Sequence, residues 1–122
     1  MARKASTRVQ VTIASAAAVS GAFKPAGQRI AGVIVPSAWT AADISFELEE
    51  PSGTWVKLVD PAGALVKITG VATALSEAML PPEIADRVAH YGAMRLVSTN
   101  TASEANINQD AARTLTLILE AA

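Results

Sequence analysis

The chain has 122 residues, which is enough for one domain whose single core buries well over half of the unfolded surface. Its 10 basic and 11 acidic residues leave a net charge of -1, so we expect it to bind neither nucleic acid nor an anionic membrane surface. The absence of cysteine excludes disulfides and thiolate chemistry, and a single histidine, His90, excludes most zinc sites.

The N-terminal segment has some features of a secretory signal peptide. A basic start, Met1-Ala-Arg-Lys4, is followed by a stretch rich in Val and Ala. Four polar residues interrupt the stretch: Gln10, Thr12, Ser15 and Ser20. No segment of the chain approaches the roughly 20 apolar residues of a membrane helix. We therefore expect neither a cleaved signal nor a transmembrane helix.

Three strand-like segments precede Pro36. Residues 8–14 alternate polar with apolar, which is typical of a half-buried strand. Residues 16–23 are rich in alanine and end in turn residues, so they predict a short strand and a turn. Residues 29–35 are continuously apolar and predict a strand buried on both faces.

Two hairpin signals follow in the middle of the chain. Residues 43–49 alternate so that the glutamates at 47 and 49 are predicted to face solvent and the apolar residues to face a core. A Pro-Ser-Gly turn at 51–53 should return residues 54–59 as an antiparallel partner. A Pro-Ala-Gly turn at 61–63 should then lead into a strand at 64–69.

The C-terminal third is less regular. Residues 72–79 fit either a strand or two helical turns, and Pro82 should begin a short helix over 82–90. Residues 94–97 predict a strand and residues 98–109 a polar loop. The last predicted strand, 113–120, alternates so that three leucines point inward: Leu115, Leu117 and Leu119.

Turn signals recur about every ten residues, a spacing typical of an all-β sandwich or barrel. The sequence therefore predicts an antiparallel β-sandwich, jelly-roll-like, with eight to nine short strands and one short helix near residues 82–90. Residues 1–7 should form an N-terminal arm and residues 8–122 a single domain.

We find no catalytic constellation in the sequence. The one carboxylate cluster comprises Asp43, Glu47, Glu49, Glu50 and Asp60. Its glutamates alternate with core residues along one strand, whereas a glycosidase needs two carboxylates that face each other across a cleft. His90 has no serine in a nucleophile-elbow sequence to act on. We expect no catalytic residues, no metal and no cofactor.

The residues with the best prospects of touching a partner are aromatic or basic. Exposed rings in loops can stack on sugars or pack at protein interfaces, and the candidates are Trp39, Trp55 and Tyr91. For Trp55, which opens a strand next to a glycine turn, we favour a position that covers an end of the core. The basic start of the chain could bind an acidic partner. The candidate partner contacts are Arg3, Lys4, Arg8, Trp39 and Tyr91.

Four segments resemble a family of small β-sandwich virion structural proteins encoded by tailed phages, prophages and gene transfer agents. They are GVIVPSAWTAADISF at 32–46, GTWVKLVD at 53–60, MRLVS at 94–98 and NQDAARTLTL at 108–117. The family usually has a Ser-Gly-Thr turn after its penultimate strand, whereas this chain has Ser98-Thr-Asn100 and a longer loop.

The resemblance implies a non-enzymatic head-decoration or minor capsid protein that binds the shell through its loops and N-terminal arm. It implies the major capsid protein or other virion proteins as partners, and a location in the virion, with the host cytoplasm as the place of assembly. Because repeated structural proteins usually close with point-group symmetry, we expect a homo-oligomer, with a trimer favoured.

Two other functions are compatible with the sequence. A carbohydrate-binding module of a spike or fibre could share this fold, because fold does not fix function. Such a module would bind glycan through Trp39 or Tyr91. A small enzyme is a third reading, which the missing acid and base geometry disfavours.

Overall fold

The structure is a computed structural model that describes residues 6–69, 76–79 and 92–121. In this part of the chain all regular secondary structure is β, which confirms the predicted antiparallel sandwich. Its eight strands are β1 Ser6–Ile13, β2 Gln28–Val35, β3 Asp43–Glu49, β4 Trp55–Lys57, β5 Lys67–Ile68, β6 Ser76–Met79, β7 Met94–Thr99 and β8 Arg113–Ala121. The short helix predicted over 82–90 lies outside the described residues.

The first sheet has the order β1-β8-β2-β6, with every neighbouring pair antiparallel. The two predicted alternating strands, β1 and β8, pair along their whole length, so that Val11 lies opposite Leu115 and Val9 opposite Leu117. These residues face the core, as their spacing predicted. A register shift between Ile30 and Gly32 marks a bulge in β2.

The second sheet is built around β3. β7 pairs with β3 from Asp43 to Leu48, and β4 and β5 also pair with β3, over shorter stretches. Residues 18–23 run antiparallel to β7, held by paired hydrogen bonds between Phe23 and Met94 and by single backbone bonds elsewhere. The strand predicted within 16–23 is present only as isolated bridges. The segment does not follow β7 continuously, because at Ser20 it bridges to Ile13 of the first sheet instead.

The core lies between the two sheets. Its fully buried side chains include Ile13, Ile30, Val33, Trp39, Ile44, Phe46, Met94, Leu96, Leu115, Leu117 and Leu119. They come from five strands and from the connection between β2 and β3. Burial of this apolar surface is the main stabilising contribution that the fold offers.

The two hairpin turns share one geometry. The N–H of Gly53 donates to the carbonyl of Glu50 at 2.8 Å, and the N–H of Gly63 donates to that of Asp60 at 2.9 Å. Both glycines have positive φ, 89° and 85°, a conformation that other residues adopt only with strain. The Pro-x-Gly signal therefore places both turns correctly, while β4 and β5 are shorter than predicted.

The strand directions divide the connections between two ends of the sandwich. Residues 14–17, 36–42 and 100–112 join strands at one end, which we name the loop end. The turns at 24–27 and 50–54 lie at the opposite end, as do both ends of the described chain. Because β1 begins at Ser6, the arm predicted over residues 1–7 overlaps the first two residues of the strand.

Candidate functional site

The loop end is ordered by one buried glutamine. Gln109 has 0% of its surface exposed, and its side chain makes three hydrogen bonds. Its Oε1 accepts from the backbone N–H of Thr40 at 2.9 Å, while its Nε2 donates to the Thr40 carbonyl at 3.2 Å and to the Ser98 hydroxyl at 2.8 Å. A buried amide satisfied in this way fixes its neighbours, because any shift leaves a polar group unpaired.

The backbone of Gln109 also binds the connection formed by residues 14–17. Ala16 donates its N–H to the Gln109 carbonyl, and Gln109 donates its N–H to the Ala17 carbonyl, each at 2.9 Å. The segments 14–17, 36–42 and 100–112 therefore meet at one residue. Three loops that would otherwise move separately form one surface.

A lysine orders the remaining part of the loop end. Nζ of Lys67 lies 3.1 Å from a carboxylate oxygen of Glu104 and 3.5 Å from one of Asp43, and it donates to the Thr101 carbonyl at 3.2 Å. Asn100 stabilises the same turn, since its Oδ1 accepts two backbone N–H bonds at 2.9 Å. Lys67 thereby ties the 100–104 turn to β3.

The polar face of β3, which the sequence predicts to face solvent, is partly covered in the structure. Asp43 and Ser45 are 2% and 3% exposed, although they alternate with core residues. The Ser45 hydroxyl shares a 2.6 Å hydrogen bond with the Thr99 hydroxyl. Lys67 and the 100–104 turn that it binds lie over Asp43. Strand periodicity shows only which residues share a face, and here side chains from a distant loop and from β5 cover that face.

The ion pairs change the titration of Lys67. The hydrogen bond to the Glu104 carboxylate, opposed by desolvation and assisted by the charges of Glu104 and Asp43, raises the pKa of Lys67 above its ordinary value of 10.5. The folded protein holds this proton more tightly than the unfolded chain does, so the charged lysine stabilises the fold. This contribution is fully present below pH 10.5, where Lys67 is charged in both the folded and the unfolded state. That stability is lost as the pH rises through the folded-state pKa.

We therefore expect Lys67→Met to remove part of the alkaline loss of stability. The variant should be less stable than wild type at neutral pH, because Asp43 stays buried without its cation. The difference between the two proteins should shrink as the pH rises beyond 10.5. Urea unfolding at a series of pH values measures it, with the exposed Lys57→Met as control. A difference that does not change with pH would contradict the assignment.

The exposed residues of the loop end are small or polar. They include Ser15, Ala16, Ser37, Ala38, Ala41, Ala102, Ser103, Asn108, Asp110 and Ala111. The charged residues on this surface are Asp110 and Glu104, and both are acidic. Short side chains on ordered loops let the backbone of another molecule approach this surface closely.

A second polar cluster lies on the outer face of the β3 sheet. Arg95 binds one carboxylate oxygen of Glu47, with Nε at 2.7 Å and Nη2 at 2.6 Å, and its guanidinium lies 4.4 Å from the centre of the Trp55 ring. The Glu47 side chain is only 12% exposed, so it is less open to solvent than its position in the strand predicted. Glu49, in contrast, is exposed as expected.

The predicted contact residues fall in different places. Trp39 is 1% exposed, and its indole N–H donates to the Ala42 carbonyl at 3.3 Å, so the prediction that Trp39 meets a partner is wrong. Its ring fills the core beneath the loop end. Arg8 is exposed on β1. Arg3, Lys4 and Tyr91, like His90, lie outside the described residues.

Sequence reasoning did not single out the two residues that order the loop end. Gln109 stands in a polar segment between strands, where periodicity carries no information, and Lys67 looks like an ordinary exposed strand residue. In the described part of the chain no three His, Cys, Asp or Glu side chains are placed to hold a metal. Nor does that part contain a helix long and apolar enough to cross a membrane.

Comparison with known proteins adds a likeness in fold. No protein-family model matches the chain, and no curated protein sequence matches it. The crystal structure of the SPBc2 prophage-derived protein YomS superposes with a TM-score of 0.53 over 98% of this chain and 98% of that chain, at 11% sequence identity. At this identity the match shows that the two proteins share a fold over nearly all of each chain.

Proposed function

We propose that the protein is a non-enzymatic structural component of a phage virion, a head-decoration or minor capsid protein that binds the shell through its loop end. The observation that carries the proposal is the ordering of three loops around Gln109 into one surface. The major capsid protein or another virion protein is the proposed partner, in the virion and, during assembly, in the host cytoplasm.

The likeness to a prophage-derived protein supports a phage setting for the proposal. The resemblance of four sequence segments to phage virion proteins supports it independently. Neither specifies the part of the virion. The head is proposed because a compact sandwich with ordered end loops suits a protein that repeats over a shell, where many weak contacts act together.

The polar side chains also support a structural rather than catalytic role. Three of the partly or fully buried carboxylates are engaged in ion pairs, those of Asp43, Glu47 and Glu120. A general acid or base must be free to exchange its proton with a substrate. Groups committed to lysine or arginine partners stabilise the fold instead.

Binding to heads assembled without the protein tests the proposal. Purified wild-type protein should sediment with such heads. Ala38→Arg, which places a long side chain on the loop end, should weaken binding at least tenfold, whereas Ser52→Arg at the opposite end should bind like wild type. Both positions are exposed, so both variants should keep the stability of wild type.

A carbohydrate-binding role is the alternative, and the Trp55 cluster favours it. Trp55 is a half-buried amphipathic ring with an arginine and a carboxylate next to it, so apolar area and hydrogen-bonding groups lie together there. Failure to bind heads, together with glycan-array binding that Trp55→Ala abolishes, would replace the virion proposal. Binding to heads that Ala38→Arg and Ser52→Arg weaken equally would exclude the loop end as the contact surface.

A further inference from the structure

The outer edge of β1 carries backbone groups without partners in the described part of the chain. The Thr12 carbonyl accepts from Gly21 at 3.2 Å, so it points away from β8. Strand alternation directs the N–H and C=O of Gln10 and Arg8 to the same side. Among residues 6–69, 76–79 and 92–121, and apart from the ladder between β1 and β8, no backbone hydrogen bond reaches these two residues. Both are exposed.

Residues 20 and 21 cover this edge at Thr12 and Ile13, but over residues 6–11 the charge of Arg8 is the one feature among the described residues that opposes pairing between sheets. Edge strands are commonly protected by proline, by a bulge, by short length or by charges that point inward. β1 has eight residues, contains no proline, and pairs with β8 without a register shift. Its inward residue Val9 is only partly buried against the core, so an added strand would cover it.

We propose that two copies of the chain pair through β1, antiparallel and about a twofold axis at Val9. A strand with unpaired N–H and C=O groups is complementary to its own copy, because both strands offer the same alternation of donors and acceptors. The two first sheets would then form one continuous eight-stranded sheet. The inference depends on the edge alone and not on the virion role.

The twofold axis could lie at Arg8, at Val9 or at Gln10, and the first and last of these registers are disfavoured. Centring the axis on Arg8 would place two like charges directly opposite each other, which is destabilising. Centring it on Gln10 would pair Arg8 with Thr12, whose carbonyl is already taken by Gly21, so a central pair would be incomplete. With the axis at Val9, Thr12 lies opposite Ser6 instead, at the end of the strand, where the loss of one bond matters less. With the axis at Val9, each Arg8 lies opposite a Gln10 and four N–H···O bonds form.

Cysteine cross-linking tests the register directly, since the chain has no cysteine of its own. With the axis at Val9, the two Val9 residues form a non-hydrogen-bonded pair with Cα atoms about 4.5 Å apart, within disulfide reach. Val9→Cys should therefore give a disulfide-linked dimer on mild oxidation. Arg8→Cys and Gln10→Cys should not, because like residues would then stand more than about 7 Å apart.

Sedimentation equilibrium of the full chain tests the association itself. Wild type should approach twice the monomer mass of 12.6 kDa as its concentration rises. Gln10→Pro removes an outward N–H that bonds nothing within the described protein, so it should raise the dissociation constant at least tenfold. Gln10→Ala keeps that N–H and should associate like wild type. A thermal melt of each variant shows whether it is folded.

Three results would overturn the proposal. They are a folded wild type that stays monomeric at high concentration, a trimer that Gln10→Pro leaves intact, and equal cross-linking at positions 8, 9 and 10. None of them bears on binding to heads, which the Ala38→Arg and Ser52→Arg pair measures separately.

Discussion

Replacing Gln109 by alanine should lower the free energy of unfolding by about 3–5 kcal/mol. The side chain is fully buried and makes three hydrogen bonds. Its loss leaves the Thr40 N–H without a partner and removes one from the Ser98 hydroxyl, each worth about 1–3 kcal/mol when buried. It also leaves a cavity. Urea unfolding followed by circular dichroism measures the change.

Two further variants separate the causes. Asn108→Ala changes the exposed neighbour and should stay within about 0.5 kcal/mol of wild type. Gln109→Met keeps most of the volume but none of the hydrogen bonds, so it should retain most of the loss. A Gln109→Met protein as stable as wild type would show that packing, not hydrogen bonding, holds the loops together.

This effect has a consequence for binding experiments. Because Gln109 joins three loops, its substitution should disturb the whole loop end without changing any exposed side chain. Weaker binding to heads by a Gln109 variant would then reflect lost order rather than a lost contact. Exposed positions such as Ala38 are therefore the informative ones, since substitution there alters the surface and leaves the core unchanged.

Much of the fold is predictable because it follows from local rules. Alternation fixes the inward residues of β1 and β8, and the positions of Pro and Gly fix the two turns that follow β3 and β4. Continuous apolar character correctly marks β2 as buried. For residues 76–79, where composition allows either a strand or a helix, pairing with β2 selects a strand.

The loop end is not predictable in the same way, because long-range contacts determine it. Gln109 is 69 residues from Thr40 in sequence, and Lys67 is 37 residues from the Glu104 that it binds. No periodic signal links such positions. Asp43 is buried for the same reason, since a turn distant in sequence and Lys67 lie over it.

Trp39→Ala should lower the free energy of unfolding by about 3–5 kcal/mol, as expected for removal of a large buried aromatic side chain. The substitution leaves a cavity between the sheets and removes the indole donor to the Ala42 carbonyl. Trp39→Phe should lie between wild type and Trp39→Ala, because a ring still fills part of the space. Denaturant unfolding monitored by circular dichroism gives all three values.

The matched control is Trp55→Ala, at a tryptophan that is only half-buried and lies beneath Arg95. It should cost less stability than Trp39→Ala, and it should be the variant that affects any glycan binding. Because the Trp39 ring lies beneath the loop end and offers no exposed surface, any weaker partner binding by Trp39→Ala should accompany its loss of stability. A folded Trp39→Ala protein with full stability but no binding would contradict the core position and return Trp39 to the contact surface.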